Sequence, residues 1–152
     1  MLLRLQNQSK SDIAIARRFT ARHSDLLNGT HSVRVDGKQF ACYYACKALL
    51  SFWSTIKEGV QSIIRDYTFL FHGNKMENVY LFNRIRNRAW NGEHPADLIF
   101  LSLQSVDGII LDGTTVTAQR SDEPIADPIS VTDLLYIYHK LIQNVSIYGI
   151  NA

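Results

Sequence analysis

The sequence is poor in the residues that cross-link, kink or loosen a chain. It has two cysteines, three prolines and eight glycines in 152 residues. Two cysteines cannot build the disulfide framework of a small secreted scaffold. Cys42 and Cys46 lie four apart in a run that reads as helix, where both face one side without favourable disulfide geometry. Reduced thiols and a cytoplasmic setting are therefore expected. No stretch approaches the ~20 consecutive apolar residues of a membrane span, and the opening MLLRLQNQSK turns polar too soon for a signal-peptide core. Charge of one sign is also lacking. Sixteen Lys and Arg oppose fourteen Asp and Glu, and a formal charge of +2 is too small to imply a polyanion such as nucleic acid.

What is present is core-forming. Hydrophobic residues make up 46% of the chain, aromatics 11% and charged residues 20%, a globular balance far from the disordered corner. Without repeat or linker, residues 1–152 read as one domain. Ser9 or Ser11 caps a first helix to about Ser24, and THSVRV is a short strand running into an Asp36-Gly37 turn. From Ala41, apolar residues recur at spacings of three and four through Tyr67, a helical run that Gly59 divides. A further helix from about Lys75 to Ala89 turns Met76, Val79, Tyr80, Phe82 and Ile85 inward, and Trp90 plugs the gap before the next element. ADLIFLSLQS after Pro95 fits a buried helix or a buried strand. GIILDG and TTVTAQ are strands; the remainder is a helix around 134–142 or strand material ending in VSIYGI. The fold class expected is α+β, with helices packed around a small mixed or antiparallel sheet.

The sharpest chemical feature is DGKQFACYYACKALL, in which a strand and turn lead to a cysteine placed at a helix start. A thiol there sees the positive helix end and free backbone N–H groups, which favour the thiolate and offer donors to an oxyanion. Cys42 is thus the candidate nucleophile, and Cys46, one turn further in, a core residue. The bland alternative is a pair of small core cysteines. A nucleophilic Cys needs a histidine base held by a third polar group. His94 pairs with Asp112 in a papain-like order if residues 96–105 are strand; if they are helix, His94 merely caps it and His139 is the remaining base.

Other spacings carry less. His72-Gly73 fits the end of a helix better than a nucleotide contact. Arg84, Arg86 and Arg88 with Trp90 form a basic, aromatic group, but alternate positions do not share a helix face, and a solvated face is the plainer account. The Arg88–His94 interval, that of a helical ribonuclease motif, is interrupted by Asn91-Gly92 and Pro95. No second Cys or His pair stands at ligand spacing, so neither a metal site nor a cofactor is assigned.

The stretch containing Asp36, Gly37, Cys42, Tyr44 and Cys46 resembles the nucleophile motif of ovarian-tumour (OTU) cysteine peptidases. VYLFNRIRNRAWNGEHPADLIFLSLQSVDGIIL is similar to that family's middle segment through Tyr80, Trp90, Gly92, Asp97, Leu98, Leu101 and Ile109. Together the two stretches cover about a third of the chain, in the family's order. The resemblance implies an OTU-like domain whose Cys42 attacks an isopeptide carbonyl of ubiquitin or a similar partner. His139 or His94 takes the proton, and Asp36 or Asp112 orients the imidazole or the oxyanion loop. There are two departures. KQFA separates the Asp-Gly turn from Cys42, and Val145 and Ser146 stand where the family has its histidine and that residue's neighbour. The alternative is a catalytically silent, OTU-like protein-binding module, of a size that suits a viral or bacterial factor acting in a host cytosol.

Overall fold

The computed structural model describes residues 31–35, 38–44, 46–73, 77–112 and 115–149. The expected first helix and the Asp36-Gly37 turn lie outside the described residues.

Two strands open the described chain, β1 (His31–Val35) and β2 (Lys38–Tyr44). They pair antiparallel, with an irregularity between Val33 and Arg34. Residues 41–44 therefore extend a strand and do not begin a helix, a correction to the helical reading from Ala41. Phe40, Tyr43 and Tyr44 explain it: aromatics suit a pleated, half-buried surface, and a hairpin partner is at hand. Helix α1 (Lys47–Glu58) starts only after Cys46 and buries Ala48, Leu49, Phe52, Trp53 and Ile56, one stripe at helical spacing. It stops at Gly59, and α2 (Gln61–His72) follows, burying Ile63 and Tyr67.

Helix α3 (Asn78–Arg88) buries Leu81, Phe82 and Ile85. Val79 and Tyr80, expected inward, are exposed, because their turn precedes the point where the helix meets the core. A single 3-10 turn (Ala89–Asn91) leads to Gly92, whose φ of 74° is left-handed. Trp90 on this turn is half-buried against the rim of the core, not the plug expected of it. The tryptophan that fills the interior is Trp53, edge-on to both Phe52 and Tyr138 at ring separations of 5.0 and 5.3 Å.

ADLIFLSLQ resolves as helix α4 (Ala96–Gln104), buried on nearly every side and packed against α1, α2 and α3. A helix enclosed on nearly every side belongs in an interior, and this one, mostly apolar, is the axis of the fold. Without a break it becomes β3 (Ser105–Asp112), which pairs antiparallel with β4 (Thr115–Arg120) as a separate two-stranded ribbon. The register slips between Val106 and Ile109, where Gly108 supplies a φ of 88°. Helix α5 (Pro128–Leu141) carries Val131, Leu135 and Tyr138 into the core. Its cap is Asp127, which accepts hydrogen bonds from the Ser130 N–H and hydroxyl, both 2.9 Å. Strand β5 (Ser146–Gly149) then returns to lie parallel to β2. The end of the chain is thus both helix and strand. The result is an α+β domain: a three-stranded mixed sheet, β1-β2-β5, beside a helical core. No helix among the described residues is long and apolar enough to cross a membrane.

Candidate functional site

Cys42 lies inside β2, five residues before the start of α1, with Ser32 as its antiparallel partner and Ile147 as its parallel one. The expectation that it stands at a helix N-terminus is corrected by this placement. Cys46 holds that position: it is the N-cap of α1, a free thiol with no side-chain capping bond, half-buried against the core. Four aromatic-rich residues, which add to the strand before they can add to the helix, produce the exchange of roles. Asp36 lies outside the described residues.

The strand beside Cys42 is the one for which the resemblance would require a histidine. Ser146 pairs with Ala41, Ile147 with Cys42 and Tyr148 with Tyr43. The segment SIYG brings a hydroxyl, an alkyl group and a phenol alongside the cysteine strand, and no imidazole.

His139 is engaged elsewhere. Its Nδ1 donates to the Ile56 carbonyl at 2.6 Å, within the last turn of α1. Gln143 Nε2 donates to the His139 carbonyl at 2.8 Å and to the Lys57 carbonyl at 3.3 Å, and Lys57 Nζ donates to the Val145 carbonyl. Two helix C-termini, α1 and α5, meet here. The His139 imidazole satisfies a carbonyl in the last turn of α1, and the Lys57 ammonium reaches the Val145 carbonyl beyond the end of α5. The Ile56 carbonyl fixes the His139 proton on Nδ1, with the Gln143 amide 3.4 Å from Nε2.

His94 is exposed and ahead of α4, where its carbonyl accepts the Asp97 N–H at 2.9 Å. Because residues 96–104 are helix, the strand pairing that would set His94 beside Asp112 does not form. Asp112 ends β3 opposite Thr115, at the far end of that strand from α4. The four described candidates, Cys42, His94, Asp112 and His139, are thus distributed over several elements. The backbone register joins Cys42 to β5 and to neither histidine.

Sequence reasoning missed a different cluster. Arg88 grips Asp97 with two parallel hydrogen bonds, Nε to Oδ2 and Nη2 to Oδ1, each 2.8 Å. Asp97 is 1% exposed, so this carboxylate is paired inside the protein. Burial pushes its pKa above the ordinary aspartate range, and the Arg88 guanidinium pulls part of the way back. The pair forms one wall of a cavity of about 320 Å³ between α2, α3 and the start of α4. The signal was available: Arg84 and Arg88 are four apart and share a face of α3, although Arg86 between them does not. Among the described residues no group of three or more His, Cys, Asp or Glu could hold a metal ion.

No protein family, curated protein or solved structure matches this chain.

Proposed function

We propose that the chain is a protein-recognition module of OTU-like build that binds ubiquitin or a ubiquitin-like partner and does not cleave it. The partner class comes from the resemblance around Cys42 and Trp90-Asn91-Gly92. The loss of chemistry rests on one observation, the register that sets Ser146-Ile147-Tyr148 against Ala41-Cys42-Tyr43. Proton transfer from a thiol needs a base within hydrogen-bond reach, about 3 Å. Strand β5 brings none, β1 sets Ser32 and not His31 opposite Cys42, and His139 is fixed to a helix carbonyl. The N-terminus of α1 belongs to Cys46, beside which the resemblance places no base.

Two measurements on the full chain test this. Ubiquitin carrying an electrophilic C-terminus should leave the protein unmodified, while titration of unmodified ubiquitin into the labelled protein should give saturable amide shifts that survive Cys42→Ser. A covalent adduct lost in Cys42→Ser and retained in Cys46→Ser would establish the peptidase instead. Absence of binding by ubiquitin and by ubiquitin-like proteins would overturn the recognition reading.

A further inference from the structure

The cavity between α2, α3 and α4 is independent of Cys42 and has two kinds of wall. One is apolar, formed by Phe69, Leu70, Leu81 and Ile85. Phe69 is the notable member: a large aromatic that is 72% exposed at the cavity's edge. The other wall is cationic, formed by Arg84, Arg88 and His94. Arg88 has given Nε and Nη2 to Asp97, which holds its planar fork still and leaves Nη1 with no partner among the described residues. Arg84 makes no hydrogen bond or ion pair with any described residue and is exposed.

Two carboxylates share the cavity, and they limit the charge it will accept. Asp97 has both oxygens on Arg88, and Asp66 lies 3.5 Å from Arg65. With each acid matched by its arginine, Arg84 is the cation of the wall left uncompensated by any described residue. A monoanion answers that charge, whereas a dianion would meet the fields of Asp66 and Asp97. The volume is at the small end of ligand pockets, which run from about 300 to 1,000 Å³.

We infer that this cavity is a binding site for a small organic carboxylate with an apolar body, its carboxylate on Arg84 and the free Nη1 of Arg88, its body against Phe69 and Leu81. Guanidinium forks suit planar carboxylates, and one already immobilised by Asp97 loses little freedom on binding. His94 at the mouth adds a ring N–H donor.

The test is a titration of the full chain, followed by amide chemical shifts, with 4-phenylbutyrate as probe. Its neutral analogue 4-phenylbutan-1-ol and phenyl phosphate are the comparison ligands. Phenylbutyrate should give saturable shifts centred on Gly73, Arg84, His94 and Asp97, and the alcohol, with no charge to set against Arg84 and Arg88, should bind about tenfold more weakly or worse. Arg84→Gln should weaken phenylbutyrate by a similar factor without altering the melting temperature, because Arg84 holds no other part of the fold. Lys140→Gln, on α5, should change nothing. Equal binding of acid and alcohol, indifference to Arg84→Gln, or no saturation up to about 10 mM would overturn the site. Tighter binding of phenyl phosphate than of phenylbutyrate would overturn the assignment to a monoanion.

Discussion

Asp127 and Asp97 are two aspartates that the fold treats in opposite ways. Asp127 is exposed, and the Ser130 N–H and hydroxyl it accepts hold its pKa below the usual aspartate range. A group whose pKa is lower folded than unfolded stabilises the protein above the unfolded value, and that contribution disappears as the pH falls through the folded one. Asp127→Asn keeps an acceptor at the N-cap but cannot titrate. Urea midpoints measured from about pH 6 to about pH 2 should therefore fall less steeply in Asp127→Asn than in the natural chain. Parallel curves would mean that the Ser130 contacts do not discriminate between the two protonation states. Tyr67, whose hydroxyl donates to the Ala126 carbonyl at 2.6 Å, is pushed up by burial and by the Asp127 charge, so it stays protonated through this range. Asp97 is shifted upward by burial, and its contribution has the reverse sense: it favours the folded state at low pH and is lost as the pH rises through its folded pKa.

Helix α3 and the start of α4 are held in register by the Arg88–Asp97 fork. Arg88→Met would strand a buried carboxylate and should cost about 3 to 5 kcal/mol in a reversible denaturant melt. The double variant Arg88→Met with Asp97→Leu should recover most of that loss, because both the charge and its unmet partner are gone. A double variant as unstable as the single would show that packing of the arginine stem, and not the stranded charge, carries the effect. The elements themselves were legible in the sequence to different degrees. GIILDG, TTVTAQ and the break at Gly59 follow from alternation and from a period of three to four, and ADLIFLSLQS fits helix or strand until its neighbours are known. Residues 41–44 read as helix because ACYYAC has an apolar spacing that satisfies one, while its preference is settled by pairing with β1, just before it, and with β5, distant in sequence. The same limit applies to the site. A cysteine near a helix start can be seen in one sequence, but which strand lies beside it depends on a crossover of about a hundred residues from β2 to β5.

At the scale of the molecule, burial among the described residues is concentrated in the helices. Helix α4 is enclosed, whereas β5 is half-buried at Ser146 and Ile147 and exposed at Tyr148 and Gly149. Hydrogen exchange should proceed in that order, with β5 amides losing protection by local opening and α4 amides exchanging only on global unfolding. Exchange of β5 as slow as that of α4 would mean that the mixed sheet and the helical core open as one unit. Helix α1 joins the two parts, because it follows β2 directly and crosses the corner between α3 and α4 at Gly92. A Cβ at Gly92 would lie 2.8 Å from the Lys47 carbonyl and 2.9 Å from the Ser51 side chain, and its φ of 74° is one that L side chains rarely adopt. The Ser51 hydroxyl closes the crossing by donating to the Gly92 carbonyl at 2.6 Å. Position 92 is therefore barred to other residues twice over, once by space and once by backbone handedness. Inheritance at such a position is enforced by geometry, whatever becomes of the reaction. Kin of this chain should keep the glycine and a small hydroxyl opposite it even where both cysteines have drifted away, so Gly92 reports on the scaffold and is silent about any activity.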